Sequence, residues 1–149
     1  MFDIDQEQRR GAAYEAARGR YNTTTELIAD AQKRLGDQRW DYIAGGTESE
    51  ASLKRNRMGI DSLALRPRVM RNVLNTDTSR EFLGRRQRLP LFLAPVGGLH
   101  TICDGGAALP ARAAREFGVD FMQSSVTEPG MQEVSAEAGD HWLFQLYVF

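Results

Sequence analysis

The spacing of apolar positions changes character near residue 63. Up to there they recur every three or four residues, the rhythm of amphipathic helices. "TTTELIADAQKRLG" (residues 23–36) opens on threonines that can cap a helix, carries Glu26 in its first turn and Lys33 and Arg34 near its end, and closes on Gly36. A second short helix is predicted in "QRWDYIAGG", stopping at Gly45-Gly46, and a third after Thr47 in "ESEASLKRNRMGIDS", with Glu48 and Glu50 at its favourable N-terminal end. Residues 1–22 are polar and mixed in charge and read as an N-terminal extension, with a frayed helix in "RRGAAYEAARGRY".

Beyond residue 63 the apolar positions come in short extended pieces. "LALRPRVM" contains Pro67 and suits an edge or irregular strand, and "SREFLGRRQRL" reads as a small hairpin turning at Gly84-Arg85. Then an alternation sets in. "LPLFLAP", "VDFMQSS" and "HWLFQLYV" are nearly continuous apolar strands, separated by helices in "GGAALPARAAREFG" and "EPGMQEVSAEAG", where Pro110 sits awkwardly in the first half of its helix. Strand–helix–strand–helix–strand with fully apolar strands predicts a parallel sheet with right-handed crossovers. A (β/α)8 barrel takes about 250 residues, so three such strands are its opening third. The last strand, too apolar for an intended edge, points the same way. The expected fold is therefore α/β, the N-terminal part of a TIM barrel of about three strands, preceded by helices and a β-hairpin, with residues 23–149 as one incomplete barrel domain.

Composition excludes more than it selects. Of 149 residues, 42% are apolar and 26% charged, which fits an ordered globular chain. The 19 basic and 20 acidic residues are interspersed, so no basic face is offered to a nucleic acid. Apolar runs fall short of the roughly 20 residues that span a bilayer, and "MFDIDQEQRR" lacks the features of a signal peptide, so a cytoplasmic location is expected. Cys103 is the one cysteine and has no spaced ligand partners, so neither a disulfide scaffold nor a metal site is expected.

In parallel α/β folds the chemistry gathers at the carboxyl ends of the strands. Here those ends read "APVGG", "QSS" and "FQLYV". Glycine and proline after a strand let a ligand approach the backbone, Ser124 and Gln145 can hydrogen-bond the edge of a heterocycle, and Tyr147 lies on the same strand face as Gln145. Taken singly, each has a plainer explanation: Ser-Ser is usually a turn or cap, the paired glycines do not make a GxGxxG loop, and His100 and His141 have neither nucleophile nor metal partner nearby in sequence.

In combination the motifs are more specific. "WDYIAGGTESEASLKRN", "LRPRVMRNV", "LGRRQRLPLFLAPVGG", "ARAAREFGV", "QSSVTEPGMQEV" and "WLFQLYV" occur in one order and spacing that resembles the FMN-dependent α-hydroxyacid oxidase and dehydrogenase family, over roughly residues 25–149. The family includes glycolate oxidase, flavin-type lactate dehydrogenases and mandelate dehydrogenase. The resemblance implies a (β/α)8 barrel with FMN at its carboxyl end and oxidation of an L-2-hydroxy acid to a 2-oxo acid. By motif, Pro95, Val96 and Gly97 would run along the flavin, Ser124 and Gln145 would bond to it, Tyr42 would bind the substrate carboxylate and Tyr147 would sit beside the substrate.

The departures are informative. Oxidase-type members typically carry Ala where this chain has Gly97; a methyl there would crowd the flavin, so its absence slightly favours a dehydrogenase passing electrons to a quinone or cytochrome over one using O2. Val126 stands where glycolate oxidases often have an aromatic residue, which would widen the pocket. Neither His100 nor His141 matches the family's catalytic histidine, and the substrate-clamping arginines belong to later strands. The chain is accordingly expected to be an N-terminal portion, inactive alone, of a parent that full-length relatives imply could be a homo-oligomer with peripheral membrane attachment left open. Two alternatives stand beside this: a truncated, non-catalytic binding or assembly module, and another FMN-binding barrel enzyme.

Overall fold

The computed structural model describes residues 20–148; the N-terminal extension up to residue 19 and Phe149 lie outside the described residues. Two compact units are present, covering residues 23–76 and, in the described part, residues 77–148 with the short stretch before residue 23.

The unit at 23–76 contains the three expected helices, α1 (Thr24–Leu35), α2 (Asp37–Ala44) and α3 (Ala51–Asp61). Thr23 caps α1, its hydroxyl accepting the Glu26 N–H at 3.2 Å, and Gly36 ends it with φ of 70°. The third helix starts later than expected. Glu48 and Glu50 adopt left-handed backbone, φ 52° and 57°, so neither lies in the first turn of α3. Glu50 instead reaches back, its carboxylate accepting the Gly46 N–H at 3.1 Å and closing the connection from α2. The "LALRPRVM" stretch forms no strand: Pro67 removes a ladder donor, no strand among the described residues pairs with the segment, and Leu65, Val69 and Met70 are exposed.

The unit at 77–148 opens with a hairpin, β1 (Arg80–Phe82) and β2 (Arg85–Gln87), in antiparallel register Arg80↔Gln87. Its turn is Leu83-Gly84, one residue earlier than expected, because a two-residue turn of this hand needs positive φ at both positions; Leu83 has 50° and Gly84 72°. Three parallel strands follow in the order β3 (Phe92–Leu93), β4 (Asp120–Ser124), β5 (Trp142–Gln145), with α4 (Ala108–Phe117) and α5 (Met131–Ala138) as crossovers. β5 ends at Gln145, so Tyr147 lies beyond the paired strand rather than within it. Pro110 is the third residue of α4, where the missing N–H would have had no intrahelical acceptor, so the helix tolerates it.

The core is small and built from short side chains. Ala107, Ala111 and Ala114 from the start and inner face of α4 and Val134 and Ala138 of α5 meet Val119 and Phe121 around β4, all almost fully buried. Alanine at the contacts lets both helices lie close together. Arg112 completes the helix pair with two bonds to Glu137, at 2.9 and 3.1 Å, which hold the Glu137 carboxyl below the usual carboxylate range.

At the amino end of the sheet, Asp120 is fully buried between Arg85 and His141. His141 Nδ1 lies 3.0 Å from Oδ1. Arg85 Nη2 lies 3.0 Å from Oδ2 but off the hydrogen-bonding direction, so this contact is mainly Coulombic. The same guanidinium donates to the backbone carbonyl of Asp140. The hairpin is thereby fastened to the starts of β4 and β5.

Removing a partner from a buried ion pair leaves the other charge desolvated, so Asp120→Asn is expected to lower stability by about 3 kcal/mol in urea denaturation. Because the Glu137 pKa is depressed on folding, its pairing contributes above the ordinary carboxylate range and fades as pH falls through the lowered pKa. Any stability difference between the wild type and Glu137→Gln should therefore appear at neutral pH and vanish in acid.

Candidate functional site

The parallel register sets Ser124 directly opposite Gln145 and Leu93 opposite Phe121, so β4 and β5 finish together and the chain leaving β3 emerges at the same end. Ser124 is 2% exposed and hydrogen-bonded as both donor and acceptor. Its hydroxyl accepts the Val126 N–H at 3.3 Å and donates to Gln145 Oε1 at 3.2 Å. That fixes the Gln145 amide with Nε2, the end that carries two N–H donors, turned to other acceptors.

Ser125 grips the same strand by its backbone and side chain. Its N–H donates to the Gln145 carbonyl at 3.0 Å, and its Oγ accepts the Tyr147 N–H at 3.3 Å. Tyr147 is thus held just past the strand by an adjacent serine, its ring half exposed. One layer below, Gln123 is buried and fully engaged, donating to the Pro129 carbonyl at 3.1 Å and accepting from Trp142 Nε1 at 3.2 Å.

The loops after β3 and β4 are joined into one piece. Gly98 donates its N–H to the Val126 carbonyl at 3.0 Å, Leu99 to Thr127 Oγ1 at 3.2 Å, and Glu128 to His100 Nδ1 at 3.1 Å. Gly106 lies so close that a Cβ there would stand 2.1 Å from the Glu128 carbonyl oxygen, and the next N–H, of Ala107, donates to that oxygen at 2.8 Å. Pro95 and Gly97 are half-buried in this assembly and Val96 is exposed.

Six of the seven predicted site residues therefore belong to one end of one sheet: Pro95, Val96, Gly97, Ser124, Gln145 and Tyr147. Tyr42 belongs to α2 of the other unit, where it is 67% exposed. Sequence reasoning did not single out Thr127, and it named Ser125 only as a strand end and His100 only as a non-catalytic histidine; all three make bonds to backbone N–H groups that join segments distant in sequence. The two histidines are each committed, His100 to the Glu128 N–H and His141 to Asp120 at the opposite end of the sheet.

Chemically, the rim offers a short run of approachable backbone, an amide held in one orientation, a buried hydroxyl behind it and a phenol beyond. Such a set suits a planar heterocycle with several acceptor and donor edges. The sequence profile of the FMN-dependent dehydrogenases matches residues 31–149, and the chain belongs to that family. It is 40% identical over 127 residues to the L-lactate dehydrogenase of Bartonella quintana, covering 85% of this chain and 33% of that protein. Against the 4-hydroxymandelate oxidase of Amycolatopsis orientalis the identity is 33%, over 85% of this chain and 35% of that protein. A crystal structure of mandelate oxidase superposes with TM-score 0.79 at 32% identity, covering 85% of this chain and 37% of the other. The fold is accordingly the opening portion of that barrel, and the chain spans about a third of the length of the relatives it matches.

The residues present fit FMN: the amide of Gln145, held by Ser124, and the exposed backbone at Val96 would offer a flavin ring a polar edge and an open approach. Gly106 tests the loop assembly that carries them. With φ of 44° and no room for a Cβ, Gly106→Ala is expected to lower stability by about 3 kcal/mol in denaturant titration.

Proposed function

We propose that this chain forms the N-terminal portion of an enzyme that oxidises an L-2-hydroxy acid to a 2-oxo acid with FMN, a dehydrogenase in preference to an oxidase. The observation that carries the reading is the Ser124–Gln145 pair at aligned strand ends beside the Pro95–Gly97 turn. The names of the relatives, an L-lactate dehydrogenase and a 4-hydroxymandelate oxidase, support the substrate class.

Bound FMN would take up the two electrons released by the hydroxy acid. The chain's own residues do the holding. Pro95, Val96 and Gly97 would hold the flavin by their backbone, and Gln145 would donate to it from Nε2 while Ser124 keeps that amide from rotating. Tyr147 would supply its phenol to the substrate, to fix a carboxylate oxygen or steady developing negative charge. The family motif assigns Tyr42 a carboxylate contact. Proton removal from the substrate needs a base within hydrogen-bond reach, and both histidines of this chain are committed elsewhere. Electron transfer to a quinone or cytochrome rather than O2 is supported by Gly97.

Titration of the purified chain with FMN, followed by flavin absorbance and fluorescence, tests this. Binding is expected, weakened about tenfold by Ser124→Ala or Gln145→Ala, the effect of losing one buried hydrogen bond. L-Lactate should leave the bound flavin oxidised. Absence of binding would overturn the cofactor assignment, and bleaching by L-lactate would show that these residues suffice for chemistry.

A further inference from the structure

We infer that Thr127 is a positioning residue: its buried hydroxyl fixes the chain leaving β3 against the end of β4, and so sets where the Pro95–Gly97 backbone stands. Thr127 is 8% exposed, and its Oγ1 accepts the Leu99 N–H at 3.2 Å, from a residue 28 positions earlier. Beside that bond, Gly98 donates its N–H to the Val126 carbonyl at 3.0 Å. Two successive donors from one loop thus meet two successive acceptors from the other. Leu99 opens a single 3-10 turn, Leu99–Thr101, and the first N–H groups of any helical turn have no acceptor within it. Gly98, which precedes the turn, has no side chain to cap it, so the acceptor has to come from elsewhere in the chain.

Threonine suits the task, because its branch at Cβ restricts χ1 and burial holds the rotamer. The Leu99 side chain packs against the core of α4, α5 and β4, so the bond and the apolar contact fasten the turn at the same residue. The Gly98–Val126 bond involves no side chain, and the His100–Glu128 bond lies further along the loop and is exposed. Of these three links, Thr127 therefore supplies the buried side chain nearest Pro95–Gly97. Valine would keep the shape of threonine and remove the acceptor, leaving the Leu99 N–H without its partner. Serine would keep the acceptor and lose only the methyl. The consequence for flavin binding rests on the proposed function; the hold on Leu99 does not.

The wild-type chain, Thr127→Val and Thr127→Ser are compared by amide hydrogen exchange at Leu99 and by FMN titration. Thr127→Val is expected to speed exchange at Leu99 by about tenfold and to weaken FMN binding by about fivefold. Thr127→Ser is expected to stay within about threefold of the wild type in both, because it retains the acceptor. Unchanged Leu99 exchange in Thr127→Val, or equal losses in Thr127→Val and Thr127→Ser, would overturn the role of the hydroxyl. Faster exchange with unchanged FMN affinity would overturn its bearing on the site. If Thr127→Val does not fold, Thr127→Ala replaces it, and the same difference from Thr127→Ser decides the matter. If the wild type binds no FMN, the proposed function and the positioning role fail together, while exchange still decides the hold on Leu99.

Discussion

Everything at the candidate site depends on the register between β4 and β5. Pairing Phe121 with Trp142 and Ser124 with Gln145 brings both strands to an end at one level. A slip of one residue would turn every side chain of β5 to the opposite face, putting Gln145 out of reach of the Ser124 hydroxyl and Trp142 out of reach of Gln123. The register is pinned at both ends. Phe121 donates to the His141 carbonyl at 2.9 Å at the start, and Ser125 donates to the Gln145 carbonyl at 3.0 Å at the finish.

The two ends of the sheet use different physics. At the amino end a buried carboxylate gathers a guanidinium and an imidazole, and the guanidinium in turn donates to the backbone carbonyl of Asp140, an arrangement that holds the hairpin to the sheet. At the carboxyl end neutral hydrogen bonds orient side chains and loops while leaving donors and approachable backbone at the surface. This division agrees with barrel enzymes generally, in which one face serves stability and the other chemistry. Between them, an alanine-rich seam keeps α4 and α5 close to β4, and the large apolar residues of β3 and of the chain after β5 stay largely exposed among the described residues.

Much of this was legible in the sequence because it is local. Helix caps at Thr23 and Gly36, the alternation of strands and helices after residue 89, and the serine, glutamine and tyrosine at strand ends are carried by neighbouring residues. What escaped depends on partners far away along the chain. Ser125 gains meaning only when Tyr147 comes alongside, and His100 only when Glu128 does. The misplaced turn and the late start of α3 have another cause: Leu83, Glu48 and Glu50 adopt positive φ, which their residue types disfavour and which the surrounding connections impose. The family motifs succeeded where single residues could not, because they encode the joint spacing of three strand ends.

The central claim is that the carboxyl ends of β3, β4 and β5 form one side of a flavin site. It is tested most directly by recording the 15N–1H spectrum of the chain during titration with FMN. The account predicts that shifts concentrate at Val96 to Gly98, Ser124 to Val126, Tyr147 and the side-chain amide of Gln145, while Arg85, Gln87 and Asp120 at the opposite end stay unchanged. Shifts centred on the hairpin end instead, or none at all at saturating FMN, would contradict it.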